Sequence, residues 1–169
     1  MKKLLFTVFF ALTGIPAAFA QTDDAKAFAQ KIADDIMAQV VEIKAPLSVK
    51  EKNFHAVFTQ AADLKKIARF TLGRFAKTAS EQDLQAFTDA FTNNVVGTWA
   101  QRFDSYAGEK IVFTDARQEN GKDVYVHSEL LMSDGTNKIE IVWRVSVKKG
   151  KCRIIIIIIL TVTYLAYRL

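Results

Sequence analysis

Asn137-Lys138-Ile139-Glu140-Ile141-Val142-Trp143-Arg144-Val145-Ser146-Val147-Lys148 decides the fold class. Ile139, Ile141, Trp143, Val145 and Val147 fall on one face, and Lys138, Glu140, Arg144, Ser146 and Lys148 on the other, with Val142 as the apolar exception. A period of two with one dry and one wet face is a half-buried strand. Working outward, Lys110 to Ala116 and Asp123 to Met132 read as two earlier strands, separated by turns at Asn120-Gly121 and Asp134-Gly135. Lys149-Gly150 turns the chain into a fourth strand near Lys151. The expectation is an antiparallel meander.

Before Gly108 the period is helical. Phe28, Ile32, Ile36 and Val40 recur every four residues in a first helix from Asp23 to about Lys44, which Pro46 ends. Ser48-Val49-Lys50-Glu51 has capping-box spacing and predicts a second helix, with Phe54, Val57 and Phe58 on its buried side. Asp63 can start a third helix carrying Leu64, Ile67, Phe70, Leu72 and Phe75, weakened or ended at Gly73. Ser80 and Asp83 sit at cap spacing before the longest pattern: Leu84, Phe87, Phe91, Val95, Trp99, Phe103 and Tyr106 step by three or four residues. At roughly 1.5–3 kcal/mol per fully buried large apolar side chain, that aromatic side must be covered. Helices with apolar stripes followed by a one-sided sheet give a two-layer α+β domain. The two apolar faces can close tightly or leave a pocket, and periodicity does not distinguish these outcomes.

The chain of 169 residues, half apolar and about a quarter charged, fits one domain. A single cysteine, Cys152, excludes an intrachain disulfide framework, and two histidines, His55 and His127, exclude a histidine-rich metal centre. Residues 1–20 read as a cleavable signal peptide: Lys2 and Lys3, an apolar run from Leu4 to Leu12, and Ala18-Phe19-Ala20 before Gln21. Its removal lowers the formal charge from +5 to +3, too little and too dispersed to indicate nucleic acid. Residues 21–169 then form the single mature domain. Ile154 to Tyr167 is an apolar, β-branched run too short to span a bilayer, read as strand and as an aggregation hazard if uncovered.

No nucleophile elbow, phosphate loop, zinc-binding helix or paired-cysteine motif is present. His55 and His127 read as structural or solvated, and His127 shares a strand face with Tyr125 and Glu129, opposite Val124 and Val126. Asp23-Asp24 and Asp34-Asp35 read as surface or cap carboxylates, and Cys152 as a packed small side chain. The expectation is a protein that is not an enzyme and uses no cofactor.

Ala68-Arg69-Phe70-Thr71-Leu72-Gly73-Arg74-Phe75, then Ala79-Ser80, Phe87-Thr88-Asp89-Ala90-Phe91-Thr92 and the Trp99 to Gly108 helix end, resemble the MlaC or toluene-tolerance family of periplasmic lipid-binding proteins. The resemblance covers about residues 22–150. It implies a cone-shaped α+β fold with N-terminal helices packed on a C-terminal twisted antiparallel sheet around an apolar cavity. It further implies a periplasmic phospholipid carrier that works between the outer membrane and an inner-membrane ABC transporter and maintains outer-membrane lipid asymmetry. The implied partners are phospholipid, an outer-membrane lipoprotein–porin complex and the transporter's lipid-binding ring protein. A related branch is linked to hopanoids, so lipid class is left open.

Exposing two acyl tails of about thirty methylenes costs on the order of 24 kcal/mol, so a carrier must cover nearly all of that surface. By periodicity the wall candidates are Phe70, Phe91, Val95, Trp99, Phe103, Val126, Ile141 and Trp143. Arg74 matches the Arg of the family's Leu-Gly-Arg segment, as a headgroup contact or as a structural ion pair. From Lys151 onward the chain departs from the family pattern, with Cys152 where a Trp stands, and a shifted reading frame or a degenerate copy is the expectation for residues 151–169. Two other readings stay open: an enzyme of similar fold using Asp115, in register with Ile111 and Phe113, as a base in an apolar pocket, and a ligand-free interaction module with a filled core.

Overall fold

A computed structural model describes residues 17–106, 108–119, 123–133 and 137–160, with side chains from residue 21. The proposed signal segment through residue 16, the Asn120-Gly121 and Asp134-Gly135 turns and the end from Thr161 lie outside the described residues. Four helices precede four strands: α1 (Ala17–Ile36), α2 (Leu47–Ala61), α3 (Leu64–Leu72), α4 (Glu81–Asp104), β1 (Lys110–Gln118), β2 (Asp123–Leu131), β3 (Lys138–Lys148) and β4 (Lys151–Leu160). The strands form one antiparallel sheet in the order β1-β2-β3-β4, the expected meander. Lys149 and Gly150 both have positive φ (49° and 72°), the backbone that a two-residue hairpin turn demands.

Local chemistry explains most boundaries. The Asp63 carboxylate accepts the Lys66 amide at 3.2 Å and starts α3, and Ser80 Oγ accepts the Asp83 amide at 3.1 Å and starts α4. Gly73, at φ 55°, caps the end of α3, and a 3₁₀ turn follows over Gly73–Lys77. The capping box expected at Ser48 is not formed. The chain enters α2 at Pro46, whose carbonyl accepts the Val49 and Lys50 amides, so Ser48 already lies inside the first turn. The first helix is regular only to Ile36, after which a π turn over Met37–Val41 directs Val40 into a different cluster from Ile32.

The core has two parts. Ala25, Ala29, Ile32 and Ala33 of α1, with Val57 and Ala61 of α2, pack on Val124, Val126, Trp143, Val145, Val147 and Ile154 of the sheet. The alanines let α1 lie close against the strands. A second cluster joins Val40, Phe54 and Val96, flanked by Phe58, Trp99 and Phe103. Ile36 borders both clusters.

Helix α4 buries a different side from the one its rings suggest. Its covered residues are Leu84, Thr88, Thr92, Val96 and Ala100, while Phe87, Phe91, Val95, Trp99 and Phe103 are half-buried. Small residues permit close approach to α2 and α3, and the Thr88 and Thr92 hydroxyls donate to the Leu84 and Thr88 carbonyls at 2.7 Å each. The rings therefore flank the contact.

Candidate functional site: the uncovered end of the inner sheet face

Cross-strand pairing fixes which side chains share a face. Trp143 stands opposite Val126 and Ile157, and Ile141 opposite Ser128 and Ile159. The inner face thus carries Ile111, Phe113 and Ala116 of β1, Val124, Val126, Ser128 and Leu130 of β2, Ile139 to Val147 at odd numbers on β3, and Ile154, Ile157 and Ile159 of β4. A bulge makes Ile155 an extra residue on β4, so Ile154 and Ile155 are both buried before alternation resumes.

Coverage along this face ends at Trp143, whose indole N–H donates to Ser128 Oγ at 2.9 Å and whose ring lies 5.8 Å from that of Phe113. Beyond it, Leu130, Ile139 and Ile141 are half-buried and Ile157 and Ile159 are 40% and 38% exposed. Apolar side chains at adjacent positions of two strands, left open on the core side of a sheet, form a strip that an apolar ligand can cover.

The eight wall candidates fall in different places. Val126 and Trp143 are buried in the sheet core and Ile141 borders it. Trp99 and Phe103 pack at a 6.0 Å ring separation in the second cluster, where Phe103 also meets Phe54 edge-on. Phe91 stacks on Phe87 at 6.2 Å, and Val95 is half-buried on the same flank. Phe70 is 63% exposed on α3. Among clefts formed wholly by described residues, one of about 430 Å³ lies between Thr22, Asp23, Lys26 and Thr114–Gln118, and one of about 300 Å³ lies between His55, Thr59, Leu64, Asp89, Thr92 and Asn93. Both are lined mainly by residues with polar side chains and neither includes a wall candidate, so neither is the expected apolar cavity.

Sequence reasoning missed Ile157 and Ile159 as a wall. Six consecutive isoleucines carry no alternation from which a face can be read, and only the bulge at Ile155 assigns one.

Asp115 does not occupy an apolar pocket. A bulge at Thr114 sets Asp115 opposite His127, on the outer face, where its carboxylate meets Arg117 at 3.2 Å and is more than half exposed. The regular alternation that aligned it with Ile111 and Phe113 stops one residue earlier. His127 itself pairs with Glu140 at 3.1 Å on that outer face, beside the Arg144–Asp123 and Lys138–Glu129 ion pairs. His55 lines the smaller polar cleft. Cys152 is half-buried against α1, and burial together with the Asp24 carboxylate pushes its thiol pKa up, away from nucleophilic chemistry. Among the described residues there is no group of His, Cys, Asp and Glu able to hold a metal, and no helix long and apolar enough to cross a membrane.

Helices laid over one face of a four-stranded antiparallel meander, with the apolar end of that face open, define an α+β protein with a site suited to an apolar ligand. Residues 26–168 match the family model described as MlaC protein, and the chain belongs to that family. The match runs through β4 and beyond, so the departure expected from Lys151 onward does not take the end of the chain out of the family. The fold is similar to that of a phospholipid-binding protein from Ralstonia solanacearum solved in complex with a phospholipid, with a TM-score of 0.70, 20% identity, and coverage of 79% of this chain and 76% of that one. No curated protein matches the chain.

Proposed function

We propose that this protein binds a phospholipid, with acyl chains on the inner sheet face beyond Trp143 and against the half-buried rings of α4. The observation that carries this reading is the open strip of Ile157 and Ile159 beside Ile141, which faces the helical layer and which α1 leaves uncovered. Family membership and the likeness to a phospholipid complex support it. At roughly 0.8 kcal/mol per covered methylene, a two-tailed lipid supplies the driving force to hold such a strip dry. Since Ile36 alone among the described residues borders both apolar clusters, tails enter by parting the α1–sheet cluster from the α4 cluster beside it. The polar end stays at the mouth in water, where few protein contacts are needed.

Within this reading the protein is a periplasmic, non-enzymatic carrier that accepts lipid from an outer-membrane lipoprotein–porin complex and exchanges it with the lipid-binding ring protein of an inner-membrane ABC transporter, which serves outer-membrane asymmetry. Of the wall candidates, Ile141, Phe91, Val95, Trp99 and Phe103, with Ile157 and Ile159 added, are its contacts, while Val126 and Trp143 form the floor under the covered part of the face and Phe70 stands outside the strip. No resident cofactor is required, because phospholipid is the cargo. Displacement of a fluorescent phospholipid tests the site: Ile141→Asp and Ile159→Asp, on the inner strip, should each weaken binding at least tenfold, whereas Asp115→Asn on the outer face should leave it unchanged. Equal binding by all three variants would overturn the assignment.

A further inference from the structure

From Leu64 to Ser80 the sequence contains five cations, Lys65, Lys66, Arg69, Arg74 and Lys77, and no acidic residue. This segment forms α3 and the 3₁₀ turn after it. Its covered side carries Ala68, with Leu64, Ile67 and Leu72 partly covered. Its open side carries Phe70 and Phe75, 63% and 60% exposed, the two most exposed large apolar side chains among the described residues. The Arg74 guanidinium lies 5.0 Å from the centre of the Phe75 ring. Lys66 reaches Asp123 at 3.9 Å and Arg69 pairs with Glu81 at 2.9 Å, but Lys65, Arg74 and Lys77 form no ion pair among the described residues.

We infer that α3 and the following turn dock on an anionic phospholipid surface. Two exposed rings on a segment with three cations unpaired among the described residues match the interface of such a surface: the rings enter the headgroup region and the cations meet phosphates around them. An acidic protein would satisfy the cations equally, but it gives no reason for Phe70 and Phe75 to stand open in water. The inference does not depend on where the cargo binds.

Co-flotation of the purified protein with phosphatidylglycerol or phosphatidylcholine vesicles tests it. Binding should favour phosphatidylglycerol, fall steeply with added salt, and drop about fivefold for each charge removed in Lys65→Gln and Lys77→Gln. Phe75→Ser should weaken binding while leaving its salt dependence in place. All three variants should keep the wild-type melting temperature and the wild-type amount of co-purified phospholipid. Equal binding to both vesicle types, wild-type binding by the variants, or capture only by acidic protein would overturn the inference. A protein that carries lipid yet ignores phosphatidylglycerol vesicles would overturn the docking surface alone, and one that binds the vesicles but carries no lipid would overturn the cargo reading alone.

Discussion

Trp143 and Ser128, on adjacent strands, share a hydrogen bond in the driest part of the sheet: the indole N–H donates to Ser128 Oγ at 2.9 Å, and that hydroxyl donates to the Ile141 carbonyl at 3.3 Å. Both side chains are almost completely buried. The pair closes the covered part of the inner face where the open strip begins. Ser128→Ala leaves the indole N–H without its acceptor and should cost about 1–3 kcal/mol in urea unfolding. Trp143→Phe combined with Ser128→Ala should cost less than the sum of the single changes, because the two act through one bond.

Lys50 is buried on α2 in line with Phe54 and reaches Asp104, at the end of α4, at 2.7 Å. Asp104→Ala strands a desolvated ammonium, and because Asp104 is itself more than half exposed, the loss should be moderate, about 1–2 kcal/mol. Lys50→Met keeps the stem's packing and removes the charge, so thermal unfolding should show a change within about 1 kcal/mol.

Cys152 holds its proton more tightly in the folded chain than in the unfolded one, because burial and then Asp24 disfavour the thiolate. Its contribution to stability is complete below the unfolded thiol's pKa and is lost as pH rises through that value toward the folded one. Native protein should therefore react with a maleimide more slowly than urea-unfolded protein at pH 8. The alkaline decline in melting temperature should be shallower in Cys152→Ser.

β4 is an edge strand with an uncharged run from Ile154 to Leu160, exposed on both faces from Ile157 onward. Its first half is covered, since the Asp63 amide donates to the Ile154 carbonyl and Arg153 bonds the Gln60 carbonyl. The second half lacks the lysine or proline that usually blunts an edge. Ile158→Lys, on the outer face, should reduce light scattering on concentration or mild heating without weakening lipid binding.

Much of this architecture could be read from residue order. Asp63 and Ser80 begin helices as their side chains require, and the alternation of β3 names its inner face correctly. The features that escaped reading depend on tertiary context. Rings at Phe87, Phe91 and Trp99 draw attention to one side of α4, yet close helix packing selects Thr88, Thr92 and Ala100. Single-residue bulges at Thr114 and Ile155 reassign Asp115, Ile157 and Ile159 between faces without any mark in composition. Periodicity shows which side of an element needs cover and is silent on whether protein or lipid provides it, so the open strip became visible only once the register of β4 was known.

The carrier reading rests on a phospholipid covering that strip. Native mass spectrometry of protein isolated without detergent, followed by extraction and identification of the released lipid, measures this directly. The expected result is a complex near one phospholipid per chain, lost in Ile159→Asp, whose folded spectrum persists. A folded wild-type chain that is empty, and stays empty after incubation with phospholipid vesicles, would contradict it.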